Sequence, residues 1–114
     1  MRVTADFWVS ALVRRVFAEG GFAAIMNKGA SEAGAIFVIL RDRFGGASLF
    51  APAPQTSYDG ARPDERYFIR YDLEDETALD ARLEKEKRFD PDIWVVEIEP
   101  GKGAIGDFIQ IAES

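Results

Sequence analysis

The stretch KRFDPDIWVVEIE, residues 87–99, contains the change from a helical to an extended pattern that organises the chain. The helix predicted over residues 76–89 has to end there, because Pro91 disfavours helical backbone at the residue that precedes it. Residues 93–99 then alternate between two faces, with a tryptophan and several β-branched residues, as a strand in a sheet does. The stretch therefore predicts a helix that is followed directly by a strand.

The two aspartates of this stretch have a structural and a functional interpretation. In the structural one, Asp90 and Asp92 accept hydrogen bonds from nearby main-chain amides at the helix exit and the strand entry. In the functional one, Asp90, Asp92 and Glu97 form a carboxylate cluster that binds a hard cation or acts as a general base. We favour the structural interpretation, because two carboxylates two residues apart are too common to indicate a site.

The rest of the chain adds one helix and four or five strands to these elements. The first helix is predicted over residues 5–19, between the N-cap candidate Thr4 and the helix-ending pair Gly20-Gly21. Strands are predicted over residues 22–28, 36–40, 47–51, 66–74 and, as a candidate last strand, 104–112.

The order of these elements is α-β-β-β-β-α-β, with an optional last strand. It is typical of an α+β fold in which two helices pack on a mostly antiparallel sheet of five or six strands. A chain of 114 residues has the length of one domain, so we expect residues 1–114 to fold as a single unit. At this level, either one sheet or two sheets fit the pattern.

Two segments indicate how much of this fold has to be buried. Residues 36–40 are a continuous apolar run, which indicates a strand covered on both faces of the sheet. In the first helix, apolar side chains spread around more than half of the circumference, whereas one sheet face covers a stripe little wider than about 100°. The second helix has a thin apolar stripe and cannot cover the excess. We therefore predict that a second copy of the chain covers it, in a homodimer. The alternative cover is the long loop that begins at Pro52.

The chain contains no cysteine and no histidine. These absences exclude disulfides, a cysteine nucleophile, and the commonest general base and transition-metal ligand. Catalytic zinc needs imidazole or thiolate ligands, so we expect no such metal site, and we expect no cofactor. No set of residues is specific enough to be named catalytic. The composition therefore favours a protein that is not an enzyme.

The charge of the chain is acidic and unevenly distributed. The net charge is −6, and after residue 50 sixteen acidic residues stand against eight basic ones. An acidic chain repels phosphate backbones, so we expect no nucleic-acid partner. No apolar run approaches the roughly 18 residues of a membrane span, and basic residues follow the first apolar run instead of preceding it as in a signal peptide. We therefore expect a cytoplasmic protein without a membrane partner.

Three stretches together carry a resemblance to a known family. They are FWVSALVRRVFAEGGFAAIMNKGASEAGAIFV (residues 7–38), PAPQTSYDGARPDERYF (52–68) and RFDPDIWVVEIE (88–99). They are similar to a small alphaproteobacterial family of about this length, known as domain of unknown function 1491, and the similarity covers nearly the whole chain. The resemblance implies a bacterial, cytoplasmic, single-domain protein, and it implies no activity, substrate or catalytic residue.

Five arginines on regular elements are candidates for binding a small anionic ligand: Arg14, Arg15, Arg41, Arg43 and Arg70. Arginine suits bidentate pairing with carboxylate or phosphate, and Arg41 and Arg43 share one face near the end of a strand. The alternative, which we favour, is that these arginines form ion pairs with carboxylates across the sheet. The anion site is therefore a hypothesis that depends on whether the fold brings the arginines together.

Two irregular segments complete the set of candidates. Residues 52–64 form a long predicted surface loop, in which Tyr58 and Arg62 are the large side chains suited to contact with a partner protein. Residues 29–34, GASEAG, have the glycine spacing of a phosphate-binding loop, but no Lys-Ser or Lys-Thr follows, and the next element is a strand. We interpret residues 52–64 as a connector and GASEAG as a hairpin connection.

Two functions of different classes are compatible with these observations. The first, which we favour, is a non-catalytic binding or interaction module that forms a homodimer. The second is an enzyme that uses aspartate, glutamate and arginine side chains on a small anionic substrate. A pocket with at least two arginines and one carboxylate of perturbed pKa would favour the enzyme, whereas a flat apolar face that packs against its own copy would favour the module.

Overall fold

The structure is a computed structural model, and it describes residues 3–42, 44, 46–54 and 66–112. The elements in these ranges are α1 (Ala5–Ala18), β1 (Phe22–Asn27), β2 (Ile36–Arg41), β3 (Ala47–Pro52), β4 (Tyr67–Asp72), α2 (Glu76–Phe89), β5 (Trp94–Glu99), a 3-10 turn (Ile105–Asp107) and β6 (Gln110–Ile111). The α+β class and the element order predicted from the sequence, with the optional last strand, are confirmed.

Both helices begin at residues whose side chains cap them. The Thr4 hydroxyl oxygen accepts a hydrogen bond from the main-chain N–H of Phe7 at 3.2 Å, and the Asp75 carboxylate accepts one from Ala78 at 2.9 Å. Each cap satisfies an N–H group that the first turn of a helix leaves without an intrahelical acceptor. After α1, Gly20 has a φ of 80°, in the left-handed region that glycine adopts without strain.

The six strands form one sheet in the order β1-β5-β2-β3-β4-β6. Of the five strand pairs in the described residues, three are antiparallel, while β2–β5 and β4–β6 are parallel. The sheet is therefore mostly antiparallel, as predicted, and it does not divide into two. Because β5 lies between β1 and β2, the interpretation of GASEAG as a hairpin connection is wrong.

The connection from β1 to β2 crosses the start of β5 instead of turning back on β1. The N–H of Ala30 donates to the carbonyl of Asp92 at 3.0 Å, and the indole N–H of Trp94 donates to the carbonyl of Ala30 at 2.8 Å. A Cβ atom would lie 2.2 Å from the Asp92 carbonyl oxygen if added to Gly29, and 2.5 Å if added to Gly34. Both positions require glycine because two backbones approach closely there.

Strand β2 is covered on both faces, as its unbroken apolar run predicted. Ile36 and Val38 belong to a hydrophobic core between the sheet and α1, and Phe37 and Ile39 belong to a second core between the sheet and α2. The two helices therefore lie on opposite faces of the sheet. The 3-10 segment completes the α1 side, where Ile105, Phe108 and Ile109 join the first core.

Helix α1 buries a single stripe of side chains. Its buried residues lie three and four positions apart: Ala5, Val9, Leu12 and Val16. Trp8 and Val13 pack against the margins of this stripe, whereas 63% of Phe7 and 50% of Phe17 is exposed. The apolar residues around the helix are thus not all buried within one chain, because the sheet covers only the stripe that faces it.

The two edges of the sheet differ in length and composition. At one edge, β6 pairs only two residues with β4. At the other, β1 has the sequence FAAIMN, without charge or proline, and its register with β5 shifts between Ile25 and Asn27. No strand among the described residues pairs with the outer side of β1. Natural sheets blunt their edges with charges, prolines, bulges or short strands, and on β1 only the register shift does so.

Candidate functional site

The candidate arginines do not meet in one place. Arg43 lies outside the described residues, and Arg14 is exposed on α1. Arg15, its neighbour in sequence, donates to the main-chain carbonyls of Asp107 and Phe108 at 2.6 and 3.2 Å. Arg15 therefore joins the end of α1 to the 3-10 segment, and its guanidinium takes part in holding the fold.

Arg41 bridges the sheet and the start of α2. Its two terminal nitrogens donate to the two carboxylate oxygens of Glu76 at 2.5 and 2.6 Å, and its Nε donates to Glu97 at 2.5 Å. The hydrogen bonds that Arg41 donates to Glu76 and Glu97 raise the pKa of Arg41, and the bond from Arg41 lowers the pKa of Glu76. Two carboxylates surround this guanidinium, so its charge is already compensated.

Arg70 lies on the opposite face of the sheet, where α1 packs. Its guanidinium carbon lies 5.6 Å from the centre of the Phe50 ring, which belongs to the α1 core. Its Nε donates to Asp72 at 2.9 Å, its Nη2 donates to the Ser48 hydroxyl at 3.0 Å, and that hydroxyl donates to Asp72 at 2.7 Å. The hydrogen bond from Ser48, followed by that from Arg70, lowers the pKa of Asp72. Arg41 and Arg70 thus have separate carboxylate partners on separate faces.

The carboxylates of the opening stretch are also separated. Asp90 Oδ1 accepts a hydrogen bond from the N–H of Asp92 at 3.0 Å, the local bond that the structural interpretation describes. Glu97 lies five residues after Asp92, about 16 Å away at the rise of an extended strand, and its side chain accepts a hydrogen bond from Arg41. Among the described residues, no group of three or more aspartates and glutamates could hold a metal ion.

The two ends of the long predicted loop border a cavity. Tyr58 and Arg62 lie outside the described residues. Ala53 and Arg66, at the two ends of that segment, border a cavity of about 660 Å³. Its described lining contains one arginine, Arg66, and one carboxylate, Glu32, fewer than the two arginines that we set as the criterion for an enzyme. In the described ranges no helix is long and apolar enough to span a membrane.

An apolar surface follows the free edge of β1. Phe22, Ile25 and Met26 are 50%, 47% and 59% exposed on this strand, and α1 places Phe17, 50% exposed, beside them. We call these four residues, with the outer main chain of β1, the β1 edge surface. These side chains lie on both faces of the strand, because Ile25 pairs with Val96 of the α1 core whereas Met26 borders a cavity with Leu79 of α2. Together the four side chains expose roughly 400 Å² along this edge.

Sequence reasoning expected the excess apolar surface on α1 and missed the contribution of β1. The composition of FAAIMN was a usable signal, because six residues without charge or proline are unusual at the edge of a sheet. The signal could not be used without the strand order. Only when β5 is placed between β1 and β2 does β1 become an edge strand.

A family model described as "Protein of unknown function (DUF1491)" matches residues 3–105. The chain belongs to this family. The resemblance found in the sequence is thus confirmed. Among curated proteins, no match to the chain is found.

Solved structures agree with the DUF1491 assignment over the full length of the chain. Protein Atu0922 from A. tumefaciens, solved in solution, is 45% identical with a TM-score of 0.82, covering 100% of this chain and 98% of that one. The crystal structure of a DUF1491 family protein from Caulobacter crescentus CB15 is 39% identical with a TM-score of 0.76, covering 96% and 98%. An NMR structure of a DUF1491 family protein from the same organism is 38% identical with a TM-score of 0.74, covering 99% of both chains.

Proposed function

We propose that this protein is a non-catalytic interaction module that works as a homodimer, with the β1 edge surface buried between the two copies. The observation that supports it most is the edge strand β1, whose six residues carry no charge and no proline. In the described ranges no strand pairs with its outer side. An unprotected edge of this kind is a template for pairing with another chain.

The exposed side chains support the same proposal. Phe17 and Phe22 are aromatic residues, which contribute strongly to protein contacts, and Met26 is a flexible residue that adapts to a partner surface. The four side chains of the β1 edge surface supply about half of the roughly 800 Å² that each partner buries in a contact of standard size. We therefore expect a dimer of moderate affinity, in the micromolar range.

The geometry gives less support to an enzyme that acts on an anionic substrate. The described arginines of the candidate set lie at separate places, and Arg41 has two carboxylates around it. A substrate anion at Arg41 would have to displace Glu76 or Glu97 and leave a carboxylate without its partner, which costs free energy.

Light scattering behind size exclusion tests the proposed function. At roughly a hundred micromolar, well above a micromolar dissociation constant, we expect the wild type to have about twice the chain mass of 12.7 kDa. The variant Phe17→Glu should have the mass of one chain, because a carboxylate would be buried in the contact. The matched control is Phe7→Glu, the same change on the same helix at a side chain that is 63% exposed and not part of the β1 edge surface.

Two results would contradict the proposed function. The first is a wild type that stays monomeric at hundreds of micromolar. The second is an equal effect of Phe17→Glu and Phe7→Glu on the mass, because the contact would then not involve the β1 edge. Circular dichroism of each variant has to show an unchanged fold for the comparison to apply.

A further inference from the structure

We infer that the two copies join by antiparallel pairing of β1 with β1 of the second copy, so that two six-stranded sheets become one continuous sheet. This inference rests on the proposed function and specifies the geometry of the same surface. It makes the main chain of β1, and not only its exposed side chains, the recognition element.

The main chain of β1 has hydrogen-bonding groups to offer. Among the described residues β1 pairs with β5 alone, on one side, so the N–H and C=O groups of alternate residues point away from β5. The regular part of the strand extends from Phe22 to Ile25, where the register shift begins. Because antiparallel pairing of identical strands is centred on one residue, a second copy can pair over about three of these residues, and side-chain contacts have to add to this short ladder.

Antiparallel pairing of identical strands fixes the symmetry. The two-fold axis stands perpendicular to the sheet, and residues opposite each other lie on the same face. The axis therefore passes midway between the two copies of one residue, which lie opposite each other. With the axis at Ala24, Ala23 of each copy lies opposite Ile25 of the other, a small side chain against a large one. Both belong to the face that α1 covers, because they pair with Ile98 and Val96 of the α1 core.

The position of α1 fits this symmetry. The helix packs on both β1 and β5, so its axis lies about one strand spacing, roughly 4.8 Å, from the outer edge of β1. The two-fold axis then places the two α1 axes about 10 Å apart, close to the distance at which helices pack. The flank of α1 nearest to β1 carries Phe17, whose ring contacts Phe22. The partner helix would cover the half of Phe17 that one chain leaves exposed.

Charge favours the antiparallel direction over the parallel one. The net charge of −6 opposes self-association in general, but the six residues of β1 contribute none of it. Glu19 precedes the strand and Lys28 follows it, and both are exposed. Antiparallel pairing brings Lys28 of each copy toward Glu19 of the other, whereas parallel pairing would bring like charges together.

Single-cysteine variants test this geometry, because the chain has no cysteine of its own. Opposite residues of antiparallel strands have Cα atoms about 4.5–5.5 Å apart, within the range of about 4.4–6.8 Å that a disulfide needs. With the axis at Ala24, Ala24→Cys should cross-link to itself under mild oxidation. Phe22→Cys should not, because its two copies would lie four residues, about 13 Å, apart along the strands. Phe89→Cys, at a residue that is 86% exposed on α2, is the control for the rate of cross-linking by random collision.

We expect the Ala24→Cys disulfide to form at least ten times faster than those of Phe22→Cys and Phe89→Cys, with the reduced variant still of dimeric mass. A dimeric mass without rapid cross-linking at Ala24 would overturn the strand pairing and leave the proposed function intact. A monomeric wild type would overturn both. In that case the outer edge of β1 would be available to pair with an extended segment of another protein.

Discussion

The ring of Phe17 near the end of α1 meets the ring of Phe22 at the start of β1 edge to face, with centroids 5.8 Å apart and planes at 81°. A pair of this geometry contributes about 0.5–1.5 kcal/mol beyond the burial of its area. About half of each side chain is nevertheless exposed. The contact restrains both rings within one chain, and this preorganisation would lower the entropy lost if a second copy bound there.

Trp8 and Phe17 should differ when they are truncated, although both are aromatic residues of α1. Trp8 packs on the Phe68 ring with centroids 5.5 Å apart, at the margin of the α1 core. We expect Trp8→Ala to lower the free energy of unfolding by about 3 kcal/mol, and Phe17→Ala by about 1 kcal/mol or less in dilute solution, because half of Phe17 is already in water. Urea denaturation at low protein concentration measures both. Equal losses would show that Phe17 is part of the core.

Arg41 should contribute more to stability than Arg70. The side chains of Arg41 and Glu97 are 22% and 21% exposed, whereas those of Arg70 and Asp72 are 47% and 71% exposed. Arg41→Gln leaves Glu97 half-buried without its partner, so we expect a loss of about 1–2 kcal/mol. Arg70→Gln should cost less than about 1 kcal/mol, as exposed pairs do. Chemical denaturation of the two variants at pH 7 decides this, and a larger loss for Arg70→Gln would contradict it.

Acid should weaken the contact between α2 and the sheet. The hydrogen bond from Arg41 lowers the pKa of Glu76, so the Glu76 carboxylate binds a proton less readily in the folded state than in the unfolded state. Such a group adds stability above its ordinary pKa of about 4.3, and this stability is lost as the pH falls through the lowered pKa. Between about pH 5 and about pH 2.5, the melting temperature of Glu76→Gln should therefore fall less steeply than that of the wild type. Parallel curves would exclude a role for Glu76.

The aspartates of the opening stretch should tolerate loss of charge but not loss of the acceptor. Asp90 Oδ1 accepts the N–H of Asp92, and an asparagine side chain offers the same acceptor. We expect Asp90→Asn to change the free energy of unfolding by less than about 0.5 kcal/mol, and Asp90→Ala to lower it by about 1 kcal/mol. A clear gain of stability in Asp90→Asn would instead indicate repulsion between carboxylates, as in a functional site.

Gly29 should be among the least replaceable residues of the chain. An added Cβ would lie 2.2 Å from the Asp92 carbonyl oxygen, whereas at Gly106 nothing lies within 4 Å. We expect Gly29→Ala to lower the free energy of unfolding by more than about 2 kcal/mol, because main chain has to move. Gly106→Ala is the matched control and should be nearly neutral. Thermal denaturation followed by circular dichroism measures both, and similar melting temperatures would mean that the connection over β5 can shift.

The elements of the fold could be predicted from the sequence because their signals are local. Pro91 ends α2, the alternation after it gives β5, and the unbroken run of β2 indicates cover on both faces. The strand order could not be predicted, because the parallel pairing of β2 with β5 joins segments more than fifty residues apart. The interpretation of GASEAG failed for this reason, since nothing in its own residues reveals that β5 passes beneath it.

In the candidate site, too, the positions of single residues on their elements could be predicted, whereas the contacts between elements could not. The sequence could place Arg41 at the end of a strand and Glu97 on another strand, but their contact depends on β5 lying next to β2. It could also detect too much apolar surface for one chain. It could not show that this surface lies where Phe17 meets an edge strand, because that position depends on which strand is outermost.

The short strand β6 sets a limit to assembly. In the part of the chain that the structure describes, the sheet has one long unpaired edge, β1, and at its other edge only Gln110 and Ile111 pair with β4. A contact that uses β1 of both copies is isologous, so it consumes the long edge of each and leaves only the two short ones outside. Growth into a fibril would need a second edge long enough to receive a strand. Pairing through β1 would therefore stop at two copies, and it would cover the strand of the described sheet that is most exposed to aggregation.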